Sequence, residues 1–255
     1  HPELSGEARI RVQPDPVPLT IESAIARRAM KEMEDGTLVN LGYGVPALIP
    51  ALGFPERLHE RVAFSIEHGT VGGLPEGMAL FGAAANPDVL MDSTFVFDMY
   101  EGGHLDIAFL GMAQVDQEGN VNVGKFAHMA PGTGGFANIC HQTSKIVFCG
   151  SLTAGGLQAE IVDGNVVIRK EGRVKKFVKR VEQITLSGKA AREKAQHVLY
   201  VTERCVLRLG AQGLELTEVA PGIDPVKDIL PQMEFPLTIP PNVATMDPAA
   251  FREWN

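Results

Sequence analysis

The residue best placed for covalent chemistry is Glu67, which follows the apolar run of residues 61–66 and is itself followed by three glycines within residues 69–73. Open α/β sheets bind their ligands beyond the carboxyl ends of the strands. A carboxylate at that place faces a cleft with little steric cover, as a nucleophilic glutamate must. The competing interpretation is a strand-end glutamate that simply points at water, which is a common arrangement.

A second candidate is the glycine-rich stretch of residues 131–136. Backbone N–H groups around Gly134 and Gly135 could form an oxyanion hole, and the alternative is a loop that only needs positive φ angles. The stretch lacks the Lys-Ser/Thr tail of a phosphate-binding P-loop. Residues 42–44 (Gly-Tyr-Gly) lack the third glycine of the dinucleotide fingerprint, so they indicate NAD binding only weakly.

A third candidate is the polar segment of residues 115–122, with a turn at Glu118-Gly119. The side-chain amide of Asn120 could donate to a carbonyl oxygen, with Asn122 on the same face of an extended segment. The alternative is a pair of asparagines that only stabilise the turn.

The seven histidines show no ligand spacing, so we predict no metal site. His68 follows the candidate nucleophile, but neighbouring residues of a strand point to opposite sides, which makes it a neighbour rather than a catalytic base. The basic run of residues 173–180 is expected to be a solvated face. The alternative is that it contacts the phosphates of a ligand.

The apolar pattern predicts an α/β fold, with an open, mostly parallel sheet sandwiched by helices. The predicted buried strands are residues 37–41, 61–66, 106–111 and 145–150. An antiparallel β extension is predicted from residues 198–201, 205–209 and 214–219. Thr20 is the predicted N-cap of a helix over residues 21–34. We therefore divide the chain into an arm or linker, residues 1–19, and one domain, residues 20–255.

Composition narrows the possible partners and compartment. The net charge of −8 argues against a nucleic-acid partner, and no apolar run has transmembrane length. The three cysteines, an odd number without a CxxC pair, are expected to be buried thiols in a reducing compartment, so we predict a cytoplasmic protein. The chain begins His-Pro rather than with Met, which indicates processing, truncation or one piece of something longer.

Taken together, the motifs resemble the catalytic (β) half of family I CoA-transferases, especially the single-chain acetate/propionate and acetoacetate enzymes. The likeness covers nearly the whole chain, in order. The matching segments are residues 26–29, 39–46, 67–69, 115–122, 134–138, 148–156, 181–185, 199–204 and 220–224. In the family the residue after the glutamate is often Asn, Ser or Ala, and His68 stands there in this chain. That departure concerns substrate preference more than the chemistry.

The resemblance implies a ping-pong transfer of CoA between an acyl-CoA and a short-chain carboxylate, as in short-chain fatty acid metabolism, through a glutamyl-CoA thioester on Glu67. CoA is then a substrate, and no cofactor is expected. Oxyanion donors would come from Gly134, Gly135 and Asn120. Contacts to CoA are expected from Gly42, Tyr43, Gly44 and Val45, together with the two loop glycines.

The resemblance also implies an α-like half, either as a separate chain or as a missing N-terminal domain, and an oligomer. Residues 1–18 are similar to the segment that joins the halves in fused members. Two other functions remain open: a non-catalytic acyl-CoA or sugar-phosphate sensor, and an acyl-CoA hydrolase with Glu67 as general base. An NAD-dependent enzyme is a distant further alternative.

Overall fold

The computed structural model describes residues 1–253. Its helices are α1 (Ile21–Met30), α2 (Ile49–Gly53), α3 (Leu58–Arg61), α4 (Ser93–Glu101), α5 (Phe136–Gln142) and α6 (Gly188–Glu193). Its strands are β1 (Leu38–Leu41), β2 (Ala63–Ile66), β3 (Thr70–Val71), β4 (Leu74–Pro75), β5 (Ala84–Ala85), β6 (Val89–Leu90), β7 (Ile107–Gly111), β8 (Gln114–Asp116), β9 (Val121–Asn122), β10 (Lys145–Cys149), β11 (Thr153–Ala154), β12 (Gln158–Val162), β13 (Asn165–Lys170), β14 (Val174–Lys175), β15 (Phe177–Val178), β16 (His197–Val201), β17 (Cys205–Gly210), β18 (Gly213–Val219) and β19 (Ala244–Thr245). Short 3₁₀ turns occupy Val45–Leu48, Met78–Leu80, Leu230–Gln232 and Pro248–Phe251, and a π turn occupies Pro225–Ile229.

A ten-stranded sheet runs through the molecule in the order β19-β18-β17-β16-β10-β7-β1-β2-β3-β6. The five strands from β16 to β2 are mutually parallel, so their carboxyl ends lie at one edge. The remaining strands are mostly antiparallel additions at the two sides. The predicted mostly parallel sheet with an antiparallel extension is confirmed.

One assignment within the sheet was wrong. Residues 198–201 were expected to belong to the antiparallel extension, but β16 pairs in parallel with β10 and only its other side is antiparallel to β17. A strand at the junction of two sheet types is buried like its parallel neighbours, and its pattern cannot show how each side pairs.

Helix α1 begins as predicted, because the Thr20 side chain accepts a hydrogen bond from the Ser23 N–H and the Ser23 side chain accepts one from the Thr20 N–H. It ends at Met30 rather than at residue 34. The N–H groups of residues 31–33 bond three residues back, to residues 28–30, which tightens the chain into a turn before β1.

Two apolar cores cover the two faces of the sheet. Helices α1, α2 and α3 cover one face, and α4, α5 and α6 cover the other. Burial on both faces explains why the central strands are continuous apolar runs. The predicted burial of the thiols is confirmed: the cysteines are free and buried, and lie at positions 140, 149 and 205.

The basic run of residues 173–180 is not uniformly solvated, which corrects the expectation. Phe177 is fully buried, and Lys176 is 8% exposed near Gly150. Burial lowers the pKa of Lys176 to about 8, although the nearby charge of Glu203 raises it. Lys176, between the short strands β14 and β15, and Phe177, which pairs with Val115 of β8, both point inward.

Residues 1–19 form neither helix nor strand, yet the arm is fastened to the domain. The Asn86 side chain accepts from the Ile10 N–H and donates to the Ile10 carbonyl, at 2.9 and 2.8 Å. Arg9 pairs with Asp88 at 2.6 Å. Over residues 1–253, no helix is both long enough and apolar enough to cross a membrane.

Candidate active site

Glu67 begins the turn that follows β2, at the edge where the parallel strands end. The turn requires glycine two residues later: Gly69 has φ +123°, and a Cβ there would lie 2.0 Å from the Met91 carbonyl oxygen. Glu67 is partly buried rather than turned out to water. The simple picture of a solvated strand-end carboxylate therefore does not hold.

The glycine loop of residues 131–136 lies directly against this carboxylate. Gly135 is the N-cap residue of α5, and its backbone N–H lies close enough to the Glu67 carboxylate to lower the pKa of Glu67. A Cβ atom on Gly135 would lie 3.2 Å from the Glu67 carboxyl carbon, and one on Gly134 would lie 3.9 Å from its Oε1. The structure thus brings together three of the four predicted catalytic residues.

The environment of Glu67 favours its neutral form. Burial raises the pKa of Glu67 above its ordinary value, and the charge of His68 and the Gly135 N–H oppose that effect. The carboxylate is therefore poorly solvated, with one backbone donor beside it. A poorly solvated carboxylate is a stronger nucleophile than one surrounded by water, because less hydration has to be removed before it attacks.

A buried polar triad lies close to Glu67, because Ser65 stands in β2 two residues before Glu67 and the charge of Glu67 reaches Tyr100. The Tyr100 hydroxyl lies 2.7 Å from the Ser65 hydroxyl and accepts from the Asn40 amide at 3.1 Å. Burial raises the pKa of Tyr100 to about 12, and the charge of Glu67 adds to that shift. Asn40 Oδ1 has no hydrogen-bond partner within residues 1–253.

We did not single out this triad from the sequence. The available signal was a polar residue inside each of two apolar strands, Asn40 in β1 and Ser65 in β2. Such residues in otherwise apolar strands need hydrogen-bond partners. Tyr100, on α4, carried no comparable signal.

The loop after β1 also reaches this region. Gly42 donates its N–H to the Phe109 carbonyl, and Gly44 adopts φ +91°, which favours glycine. Tyr43 is 65% exposed, and its ring meets Phe81 edge to face at 5.5 Å. Val45 starts the 3₁₀ turn Val45–Leu48. Four of the six predicted CoA-contact residues thus sit at the end of β1, beside the end of β2.

Asn120 is not part of this cluster, contrary to the expectation. Its amide donates to Asp116 at 3.1 Å and its Oδ1 accepts from the Gly188 N–H at 2.9 Å. The neighbouring Gly119 carbonyl accepts from Tyr200 on β16, four strands from β2, or about 19 Å across the sheet. The alternative interpretation of a turn-stabilising asparagine describes what is observed.

Within the described part of the chain, no group of three His, Cys, Asp or Glu side chains is arranged to hold a metal ion. The chemical groups at the site are therefore a partly desolvated carboxylate, backbone donors and aromatic rings.

No family model matches the chain. Among curated proteins, it is 43% identical over 258 residues to the caffeate CoA-transferase of Acetobacterium woodii, which covers 99% of this chain and 49% of that protein. It is 44% identical over 235 residues to acetate CoA-transferase YdiF of Escherichia coli K12, and the alignment covers 92% of this chain and 44% of YdiF. The chain thus spans about half the length of these relatives. The β subunit of E. coli K12 acetate CoA-transferase is 31% identical over 212 residues, covering 78% of this chain and 86% of that subunit.

Solved structures agree with the sequence comparisons. The apoenzyme of YdiF from E. coli O157:H7 superposes with a TM-score of 0.92 at 41% identity, covering 100% of this chain and 47% of that one. The thioester complex of YdiF with CoA superposes with a TM-score of 0.87 at 41% identity, covering 97% of this chain and 48% of the YdiF chain. Glutaconate CoA-transferase from Acidaminococcus fermentans shares the fold, with a TM-score of 0.65 at 19% identity. The superposition covers 92% of this chain and 93% of that chain.

This chain belongs to the CoA-transferase family. Within that family it matches the half that E. coli carries as a separate β subunit, as the alignment with that subunit shows.

Proposed function

We propose that this chain is the catalytic half of a CoA-transferase that moves CoA between an acyl-CoA and a short-chain carboxylic acid, with Glu67 as the nucleophile. The observation that carries the proposal is the partly buried Glu67 carboxylate, held at a strand end against the Gly135 N–H. The thioester complex with CoA of the similar YdiF structure supports a thioester chemistry for the family.

The reaction divides one transfer into several acyl exchanges. The Glu67 carboxylate attacks the acyl-CoA carbonyl and expels CoA thiolate, which leaves a mixed anhydride. The thiolate then attacks the glutamyl carbonyl, releases the first acid and leaves a glutamyl-CoA thioester. An acceptor carboxylate repeats these steps in reverse, so the kinetics are ping-pong.

Each attack places negative charge on a carbonyl oxygen. The Gly135 N–H, with Gly134 beside it, is the donor that the structure offers for this oxyanion. Asn120 takes no part, because its amide is committed to the turn. Loss of one oxyanion donor costs about 100- to 1000-fold in rate.

The rest of the site would come from CoA and from a second half. We assign Gly42, Tyr43, Gly44 and Val45 to the CoA arm, because they lie at the end of the strand next to Glu67. An anhydride must be shielded from water, and the exposed Tyr43 side of the site is where an α-like half would close it. We further propose that the two halves assemble into an oligomer in the cytoplasm.

The deciding experiment is intact-mass analysis of the assembled enzyme after incubation with an acyl-CoA. We expect a CoA-sized adduct on the peptide that contains Glu67, and none in Glu67→Ala. Adduct or turnover surviving in Glu67→Ala would exclude this nucleophile. Release of free CoA without an acceptor acid would instead identify a hydrolase, and CoA binding without turnover in the native enzyme would identify a sensor.

A further inference from the structure

Three aromatic rings form a continuous group beside the nucleophile. The Phe81 ring meets Tyr43 at 5.5 Å with an interplanar angle of 87°, and His68 at 5.8 Å with 89°. His68 is also close to Gly82, where a Cβ atom would lie 3.0 Å from the imidazole. We call Tyr43, Phe81 and His68 the aromatic wall. It joins the loop after β1 to the turn after β2.

Phe81 and His68 have no role in the proposed chemistry, and Tyr43 is assigned there only to the CoA arm. The oxyanion donors approach Glu67 from the glycine loop, where backbone and the Phe97 ring make the contacts. His68 is exposed, adjacent in sequence, and near enough for its charge to lower the pKa of Glu67. In the anhydride, the acyl group of the acid is bonded directly to a Glu67 oxygen. The acyl chain therefore starts on the residue next to His68, which carries one ring of the wall.

Resting on the proposed function, we propose that the aromatic wall contacts the acyl group of the bound acid, and that these contacts raise the rate for acids with an aromatic or conjugated acyl group relative to the rate for short saturated acids. Aromatic groups prefer offset-stacked or edge-to-face contacts, and Tyr43 and His68 already meet Phe81 in this way. The apolar side chains of Met78 and Leu80, 40% and 49% exposed, precede Phe81 in the chain. They extend the apolar surface that such an acyl group would cover.

The test compares two acceptor acids, cinnamate and acetate, with one acyl-CoA donor and the assembled enzyme. Phe81→Leu keeps apolar volume and removes the ring, and His68→Asn keeps polarity and removes the ring. For each variant we expect the ratio of kcat/KM for cinnamate to that for acetate to fall by about 2- to 12-fold, the usual worth of one aromatic contact. Phe95→Ala is the matched control, because Phe95 is a 60% exposed ring on α4 outside the wall, and its ratio should stay at the native value.

The inference is overturned if the ratio is unchanged in both wall variants while turnover persists. A rise in the KM for CoA that is equal for both acids would also overturn it, because the wall would then serve the CoA arm. Thermal unfolding of each variant identifies any that fails to fold, and the other wall variant then carries the test. A native enzyme that forms no adduct on Glu67 would instead remove the proposed function, which is a separate result.

Discussion

Gly135 is packed between the carboxyl group of Glu67 and the ring of Phe97, because an added Cβ would lie 3.2 Å from the first and 2.7 Å from the second. We expect Gly135→Ala to lower kcat by about 100-fold or more, since the methyl group displaces a backbone donor from the carboxylate. Gly77→Ala is the control, with an ordinary φ of −69° and no atom within 4 Å of its added Cβ. Equal activity of the two variants would show that Gly135 is not part of the reacting centre.

Burial of Glu67 predicts a pH-dependent stability difference between the native chain and Glu67→Gln. Burial raises its folded-state pKa above the ordinary 4.5, so the ionised form costs stability once the pH passes through the folded-state pKa. Below pH 4.5 the acid is neutral in both the folded and unfolded states, and the cost disappears. Glu67→Gln should therefore gain in Tm relative to the native chain between pH 4 and pH 7.5. A constant difference in Tm across that range would contradict the raised pKa.

Tyr100 holds the polar triad beneath the nucleophile, and we expect Tyr100→Phe to impair turnover more than stability. The change leaves Ser65 and Asn40 without their shared partner, and the resulting displacement of the end of β2 can cost up to about 100-fold in kcat. Tyr200→Phe is a matched control, because that hydroxyl is equally buried and also donates a 2.7 Å hydrogen bond, to the Gly119 carbonyl.

Tyr100→Phe removes two hydrogen bonds and should lose about 1–3 kcal/mol in urea unfolding, and Tyr200→Phe removes one and should lose about 0.5–1.5 kcal/mol. Only Tyr100→Phe should lower kcat, with the KM for each substrate close to native. A similar kcat for the two variants would reduce the triad to a structural role.

Asn120 is predicted to matter for folding and not for catalysis. Asn120→Ala leaves the buried Gly188 N–H without its partner and removes the side-chain amide that donates to the buried Asp116 carboxylate, which keeps its backbone donors. The expected loss is about 1–3 kcal/mol of unfolding free energy. The kcat per folded molecule, measured at a temperature where the variant remains native, should be unchanged. A hundredfold fall in that kcat would restore Asn120 as an oxyanion donor.

The arm is predicted to be released by one substitution. Asn86→Ala removes both hydrogen bonds to Ile10, so trypsin should cleave after Arg9 and Arg11 faster than in the native chain. Asn165→Ala offers a comparison, because the exposed Asn165 side chain makes its hydrogen bond within its own hairpin turn, to Asp163. Equal cleavage rates in both variants would show that the amide pair does not fasten the arm.

Local pattern predicted the parallel strands and the turn that presents Glu67, because apolar runs and glycines reflect burial and backbone geometry directly. It also found the glycine loop, but not its closeness to Glu67, which depends on how α5 packs against β2. Asn120 was misplaced for the opposite reason. A turn-stabilising amide and a catalytic amide have the same local sequence, and only the three-dimensional fold distinguishes them.

The burial of Lys176 and of Tyr100 could not be predicted from the sequence either. Their burial depends on contacts with residues far away in sequence: Gly150 for Lys176, and Asn40 and Ser65 for Tyr100. No window of residues around either position contains that information. Lys176 stands between two strands of two residues each, a pattern too short to be distinguished from an exposed basic run.

The burial of Cys140, Cys149 and Cys205 has a practical consequence. Burial raises the pKa of all three thiols, so alkylating reagents have neither thiolate nor access. The native chain should therefore react little with thiol-directed labels, so that a label on an introduced cysteine is detected without background. A single cysteine introduced on the exposed surface of α4 could carry a fluorophore, whose emission would report the docking of a second half in real time.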